Sequence, residues 1–279
     1  MAEILIWTGA VDGDYANASN WIDDATGVAS LTSPVATDTI IFDRGNVNVD
    51  TNLSPSGTLA KIVGTNGYAG IVAPGSVLTV PADDIEWAAG SINHSGSVSG
   101  FSKWAPRQGT VANINGGPHA NLVLQRASAN IAAATVVTNA FIDGGTVNIL
   151  DNATDITSVS IRGNARVSSA RDAKYDIGAQ SILTAKEGCT LNTGTVIQDG
   201  GMIKYLSAET IADLLVSPNG MFDASQSSRT FTLTLLNRWL NARINLFTKS
   251  GPVTPGTENV YGIGGYSVSE SPLSPSAPI

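Results

Sequence analysis

Apolar and polar residues alternate along most of this chain, and glycine or asparagine repeatedly breaks the alternation. FIDGGTVNIL at 141–150 shows the pattern, a period-2 run with two glycines at its centre. SIRGNARVSS (160–169), LTAKEGCTLNT (183–193), VIQDGGMIKYL (196–206) and LLVSPNGMFDA (214–224) follow the same scheme. Short period-2 runs predict strands with one buried face. Gly and Asn adopt positive φ with little strain, so they predict sharp corners between those strands. The punctuation is uneven: 19 residues separate Gly145 from Asn164, 24 separate Asn164 from Gly188, 12 separate Gly188 from Gly200, and 19 separate Gly201 from Gly220. PGSVLTVPA (74–82), AAGSINHSGSVSG (88–100) and ANLVLQRASANIAAATVVTN (120–139) extend the texture upstream.

Two all-β architectures absorb such a pattern. An antiparallel β-sandwich or jelly roll turns every 8–12 residues. A parallel β-helix stacks rungs of about 20 residues with small residues at the corners. Three features favour the β-helix. The inward positions are mainly Val, Ile, Leu and Ala; the corners recur near rung length; and Thr, Ser and Asn fill the alternate positions, which suits ladders of like residues. Aromatic anchors in 120–225 are limited to Phe141, Tyr175, Tyr205 and Phe222. The expectation is an N-terminal β cap or arm over 1–52, a β-helix over 53–228 of about eight or nine rungs, and a C-terminal region over 229–279. In that last region TFTLTLL alternates like a strand, whereas Leu233, Leu236, Leu240, Ile244 and Phe247 fit a helical stripe. Both a strand pair and a strand leading into a capping helix remain open. An extended Pro/Gly-rich arm follows, able to wrap a neighbouring subunit or to stay free.

Composition narrows the partners. With 15 basic and 23 acidic residues among 279, the net charge is −8. Binding to phosphate backbones requires a surplus of Lys and Arg, so nucleic acid is not an expected partner. No apolar run is long enough to span a bilayer, and ILIW near the start lacks the features of a signal peptide. One cysteine, Cys189, excludes an intrachain disulfide.

Candidate chemistry is sparse. Asp83, Asp84 and Glu86 in PADDIEW are the best local acids for glycoside or elimination chemistry. On a regular strand, however, Asp83 and Asp84 would point to opposite faces, and a solvated turn is the plainer reading. Asp12, Asp14 and Asn17 have oxygen-ligand spacing without the rest of a calcium loop; Asx-type turns account for them as well. His94 and His119 lie in loop-like SINHSGS and GGPHAN and are expected at the surface. Cys189 alternates with Leu191 and is expected to face inward. No enzyme activity, cofactor or metal is expected.

The start of the chain carries a resemblance. Trp7-Thr8-Gly9, Asp12-Gly13-Asp14 and Asn20-Trp21, followed by Asp38-Thr39-Ile40-Ile41-Phe42, is similar to the opening of glycine-rich β-helix proteins. These include autotransporter passenger domains and bacteriophage virion proteins. The phage group implies a structural virion protein on the capsid surface, a decoration or cement protein that binds the major capsid protein or other virion subunits. A tail or fibre component, or a tailspike-like depolymerase, is the alternative. By analogy with the three faces of a β-helix and the three-fold positions of capsids, a homo-oligomer is expected, with a trimer favoured. A membrane partner is not expected, since no apolar run is long enough to span one. Trp7, Trp21, Trp239, Tyr261 and Tyr266, in the two terminal regions, are the candidate partner contacts.

Overall fold

The computed structural model describes residues 2–50, 57–132, 135–150, 155–178, 180–262 and 267–268. Nearly all of its regular structure is β, and the only helical element among the described residues is a 3₁₀ turn at Ala18–Asn20. The strands form a parallel β-solenoid of about ten turns, so the β-helix expectation holds and the sandwich does not. The chain divides into two compact units. Unit 1 comprises 1–140 with 145–155, and unit 2 comprises 141–144 with 156–279.

Unit 1 begins with the strand Ile4–Trp7. It pairs antiparallel with Trp21–Asp23 on one side and parallel with Thr39–Phe42 on the other. From there the ladder is parallel: Thr39 faces Lys61, Lys61 faces Asp84, and Glu86 faces Lys103. The parallel stack thus ends on an antiparallel strand, which occupies an edge that would otherwise template further pairing. One inward row runs through Trp21, Trp7, Phe42, Gly64, Trp87, Trp104 and Leu124. The five rings are buried, and neighbouring centroids lie 5.1 Å (Trp7–Trp21) and 5.5 Å (Phe42–Trp87) apart. Gly64 sits between Phe42 and Trp87 because a Cβ there would meet the Trp87 ring at 2.5 Å.

Unit 2 stacks shorter faces. Ile182 pairs with Met202 and Met202 with Met221, steps of 20 and 19 residues. Its inward rows are mainly aliphatic: Ile161, Ile177, Ile197 and Val216 on one face, and Val167, Leu183, Ile203, Phe222 and Ile244 on another. At the last rung the strand Leu233–Trp239 pairs parallel with Thr257–Tyr261, which pairs antiparallel with Ser267–Val268. The first of the two inward rows just named continues past Val216 to Arg238 and Val260. Arg238 is met there by Glu258 at 2.5 Å.

The corners follow the expected chemistry with a shift of one residue in places. Gly144, Gly145, Gly188 and Gly200 have φ between 76° and 85°, and Asn164 and Asn219 have φ of 62° and 63°. Gly201 and Gly220, read as corners from the sequence, carry ordinary φ; their predecessors Gly200 and Asn219 make the turn. The helical stripe at 233–247 resolves into the strands Leu233–Trp239 and Arg243–Asn245. Leu233 and Leu236 point inward, whereas Leu240 is 64% exposed. The same inward, two outward, inward spacing recurs at Leu59–Ile62, Ala82–Ile85 and Ile211–Leu214. A three-residue step inside a strand is therefore a feature of these rungs, and it mimics half of a helical repeat.

Candidate binding surfaces

Tight turns order the N-terminal loop, and Asn20 is their hub. Asn20 is fully buried. Its Oδ1 accepts from the Val11 and Asp12 backbone N–H groups at 2.9 and 3.2 Å. Its Nδ2 donates to Asp12 Oδ1 at 2.6 Å and to the Asp14 carbonyl at 2.8 Å. All four bonding positions of the amide are used. The Asn20 amide holds the Asp12 carboxyl below the usual carboxylate range, helped by the Asp14 N–H, which donates to it at 2.9 Å. Asp12, Asp14 and Asn17 thus form Asx turns; Asp14 Oδ1 also receives the Ala16 N–H. Among the described residues no group of three or more His, Cys, Asp or Glu is arranged to hold a metal.

Trp7 and Trp21 are fully buried. Trp7 Nε1 donates to the Val47 carbonyl at 3.2 Å and Trp21 Nε1 to the Tyr15 carbonyl at 2.9 Å. Read from the sequence as partner contacts, they instead anchor loops to the interior and offer no surface. Trp239 and Tyr261 are half-buried neighbours on adjacent rungs, with ring centroids 5.0 Å apart. Tyr266, and most of the arm expected beyond Gly262, lie outside the described residues.

The two histidines correct another expectation. Both are fully buried, not at the surface. His94 faces Leu78 and Ile114, and His119 faces Val98, all on inward rows. His94 Nε2 donates to the Val80 carbonyl at 3.0 Å and His119 Nε2 to the Gly116 carbonyl at 2.9 Å. That pairing fixes the Nε2-protonated tautomer and leaves each Nδ1 buried without a hydrogen-bond partner among the described residues. Burial pushes both imidazoles down to about 4; His94 is lowered further by His119, whose ring lies 6.3 Å away. No signal in the flanking SINHSGS or GGPHAN separates an inward histidine from an outward one.

The candidate acids are engaged in structural contacts. Asp83 and Asp84 both face outward, because the rung takes its three-residue step between Ala82 and Ile85. The opposite-face expectation fails for that reason. Asp84 Oδ1 accepts the Phe101 N–H at 2.8 Å. Glu86 lies between Lys61 at 3.3 Å and Lys103 at 3.9 Å on the flanking rungs. Cys189 is inward, as expected. Burial pushes its thiol up to about 12, and Sγ donates to the Arg171 carbonyl at 3.2 Å, so it is not a thiolate nucleophile at neutral pH.

Polar ladders run between rungs in both units. In unit 1 Asn148 donates to Asn130 at 3.0 Å and Asn130 to Asn113 at 2.9 Å. In unit 2 Asn259 donates to Asn237 at 2.9 Å and Asn237 to Asp213 at 3.0 Å. The last rung of unit 2, which carries the end of that ladder, also has a groove. There Leu236, Ile244, Leu246, Phe247 and Val253 line an open groove of about 320 Å³, with the Arg238–Glu258 pair among its lining groups. Phe247, 47% exposed, and Leu240 add apolar surface at the same end. Sequence reading pointed to this region through Trp239 and Tyr261, but the groove arises from rung geometry that the alternation does not encode. Comparison with known proteins gives no further assignment: no family model, no curated protein and no solved structure matches the chain.

Proposed function

We propose that this chain is a non-catalytic structural protein of a bacteriophage virion, a decoration or cement protein on the outer capsid surface. Its partner would be the major capsid protein or another virion subunit, and it would act as a homo-oligomer, with a trimer favoured. The observation that carries this reading is the contrast on the exterior of unit 2. Polar side chains are tied sideways into a ladder along one face, whereas beside it the last rung leaves Phe247 and Leu240 exposed at a groove of mixed polar and apolar lining. Exposed apolar surface rimmed by polar groups suits protein–protein contact. The engagement of Asp84 and Glu86 in lateral contacts supports binding over turnover.

A second reading, a glycan-binding tail or fibre component, has one observation in its favour. The Trp239–Tyr261 pair stands beside the Asp213–Asn237–Asn259 ladder, combining ring faces with planar amides. Mass spectrometry of density-purified phage particles separates the readings. A decoration protein is recovered at a fixed ratio to the major capsid protein and rebinds to stripped heads, and the L240D/F247D double variant does not rebind. Absence from particles, or recovery with isolated tails only, would overturn the decoration role. Light scattering that gave one chain per particle across a wide concentration range would remove the trimer.

A further inference from the structure

Unit 1 has a groove of its own, on its outer side, and among the described residues its charged lining groups are cationic only. It encloses about 370 Å³ among Pro106–Thr110, Arg126–Ser128 and Gly145–Thr146. Two of the 15 basic residues of an acidic chain, Arg107 and Arg126, line it, and no carboxylate does so among the described residues.

Arg126 is in an unexpected place. Its φ is 48°, the left-handed region that disfavours side chains with a Cβ. Carrying the Ala129–Ala112 register back three residues sets it opposite Gly109, whose φ is 85°. On the other side, a Cβ on Gly145 would run into the backbone of Ala127. Glycine therefore flanks the corner, and a glycine or asparagine at 126 would relieve the backbone. The arginine is exposed, and no hydrogen bond or ion pair engages its guanidinium among the described residues. A strained backbone position that carries an unspent cation points to a contact made outside the chain.

Arg107 is held in place beside it. Its Nη1 donates to the Asn66 carbonyl at 3.2 Å, and its own carbonyl accepts the Thr110 hydroxyl at 2.5 Å. Ser128 and Thr146 add hydroxyls to the lining. We propose that this groove is an oxyanion site, in which Arg107 and Arg126 grip a carboxylate or phosphate group of a ligand and the hydroxyls supply further donors. Guanidinium groups match both anions through paired N–H bonds.

The test uses the full chain labelled with nitrogen-15, following the arginine Nε–Hε resonances during titration with inorganic pyrophosphate and, separately, with citrate. The Arg107 and Arg126 resonances should shift saturably, with dissociation constants of about 1 mM, weakening several-fold as salt rises. The anion that binds more tightly identifies the source as phosphate or carboxylate. Arg126→Asn keeps a residue that tolerates the left-handed corner, so its thermal midpoint should hold or rise while affinity falls about tenfold. No saturable shift with either anion at about twenty times that concentration, or unchanged affinity in Arg126→Asn, would overturn the proposal.

Discussion

In unit 1 one inward row is built from Trp21, Trp7, Phe42, Gly64, Trp87 and Trp104; in unit 2 an inward row is built from Ile161, Ile177, Ile197 and Val216 before it reaches Arg238. The materials impose different conditions. An indole brings a polar N–H inside, and that N–H must find an acceptor. Trp87 Nε1 donates to the Gly90 carbonyl at 2.8 Å and Trp104 Nε1 to Ser102 Oγ at 2.5 Å, in addition to the Trp7 and Trp21 bonds to loop carbonyls. The aromatic row thus recruits its own loops and needs a gap at Gly64. The aliphatic row up to Val216 has no side-chain polar atoms to satisfy. Unit 1 also holds both histidines, so its interior responds to acid where that of unit 2 has no imidazole to titrate.

Acid gives the widest separation of the two units. The folded imidazoles titrate near 4, below the ordinary 6.5, so between those values the unfolded chain binds more protons than the folded one. Their contribution to stability is complete above about pH 6.5, falls as pH drops toward 4 and is gone below that, on the order of 3 kcal/mol for each ring. Protonation would place an N–H at each Nδ1, which is buried without a hydrogen-bond partner among the described residues. Four of the five tryptophans lie in unit 1, so urea unfolding followed by fluorescence at stepped pH should show this slope, and the H94Q/H119Q variant should flatten it. A slope that survives the double variant would assign the effect elsewhere.

Core truncations come next. Trp87→Ala should cost about 4 kcal/mol and Ile197→Ala about 3 kcal/mol, read from denaturant midpoints by fluorescence and far-ultraviolet circular dichroism. The ring leaves the larger cavity, because Phe42 and Trp104 are held by their own neighbours. Equal losses would mean that the aromatic row carries no more than its share. The smallest change targets the gap: Gly64→Ala should cost about 1–3 kcal/mol by overpacking, whereas Gly75→Ala, with open space around it, should stay within about 0.5 kcal/mol.

Period-2 runs broken by Gly and Asn were sufficient to read a parallel solenoid, because corner chemistry and inward alternation are local properties. The aromatic interior of unit 1 was harder to see. Trp7, Phe42, Trp87 and Trp104 are far apart in sequence, and only the register Gly64–Trp87–Trp104 aligns them. The three-residue step inside rungs misled in two places: it made Leu233, Leu236 and Leu240 resemble a helix, and it hid that Asp83 and Asp84 share the outside. For the candidate sites, Trp239 and Tyr261 were legible as a terminal aromatic pair. Trp7 and Trp21 were not, since an N-terminal tryptophan reads the same whether it faces a partner or its own loop. Asn20, Arg126 and the Arg238–Glu258 pair carry no local signal, because each acquires its role from a neighbour one rung away or from a backbone angle.

The ion pair near the end of the Ile161–Val216 row sets a limit on growth. A rung added beyond Thr257–Tyr261 would bring guanidinium and carboxylate, now partly exposed, into a fully enclosed layer, where the loss of hydration outweighs their attraction unless every donor is matched. A rung duplicated before it, between Ile177 and Val216, would meet hydrocarbon on both sides. Lengthening this protein by copying its own turns is thus feasible upstream of residue 233 and self-terminating beyond Tyr261.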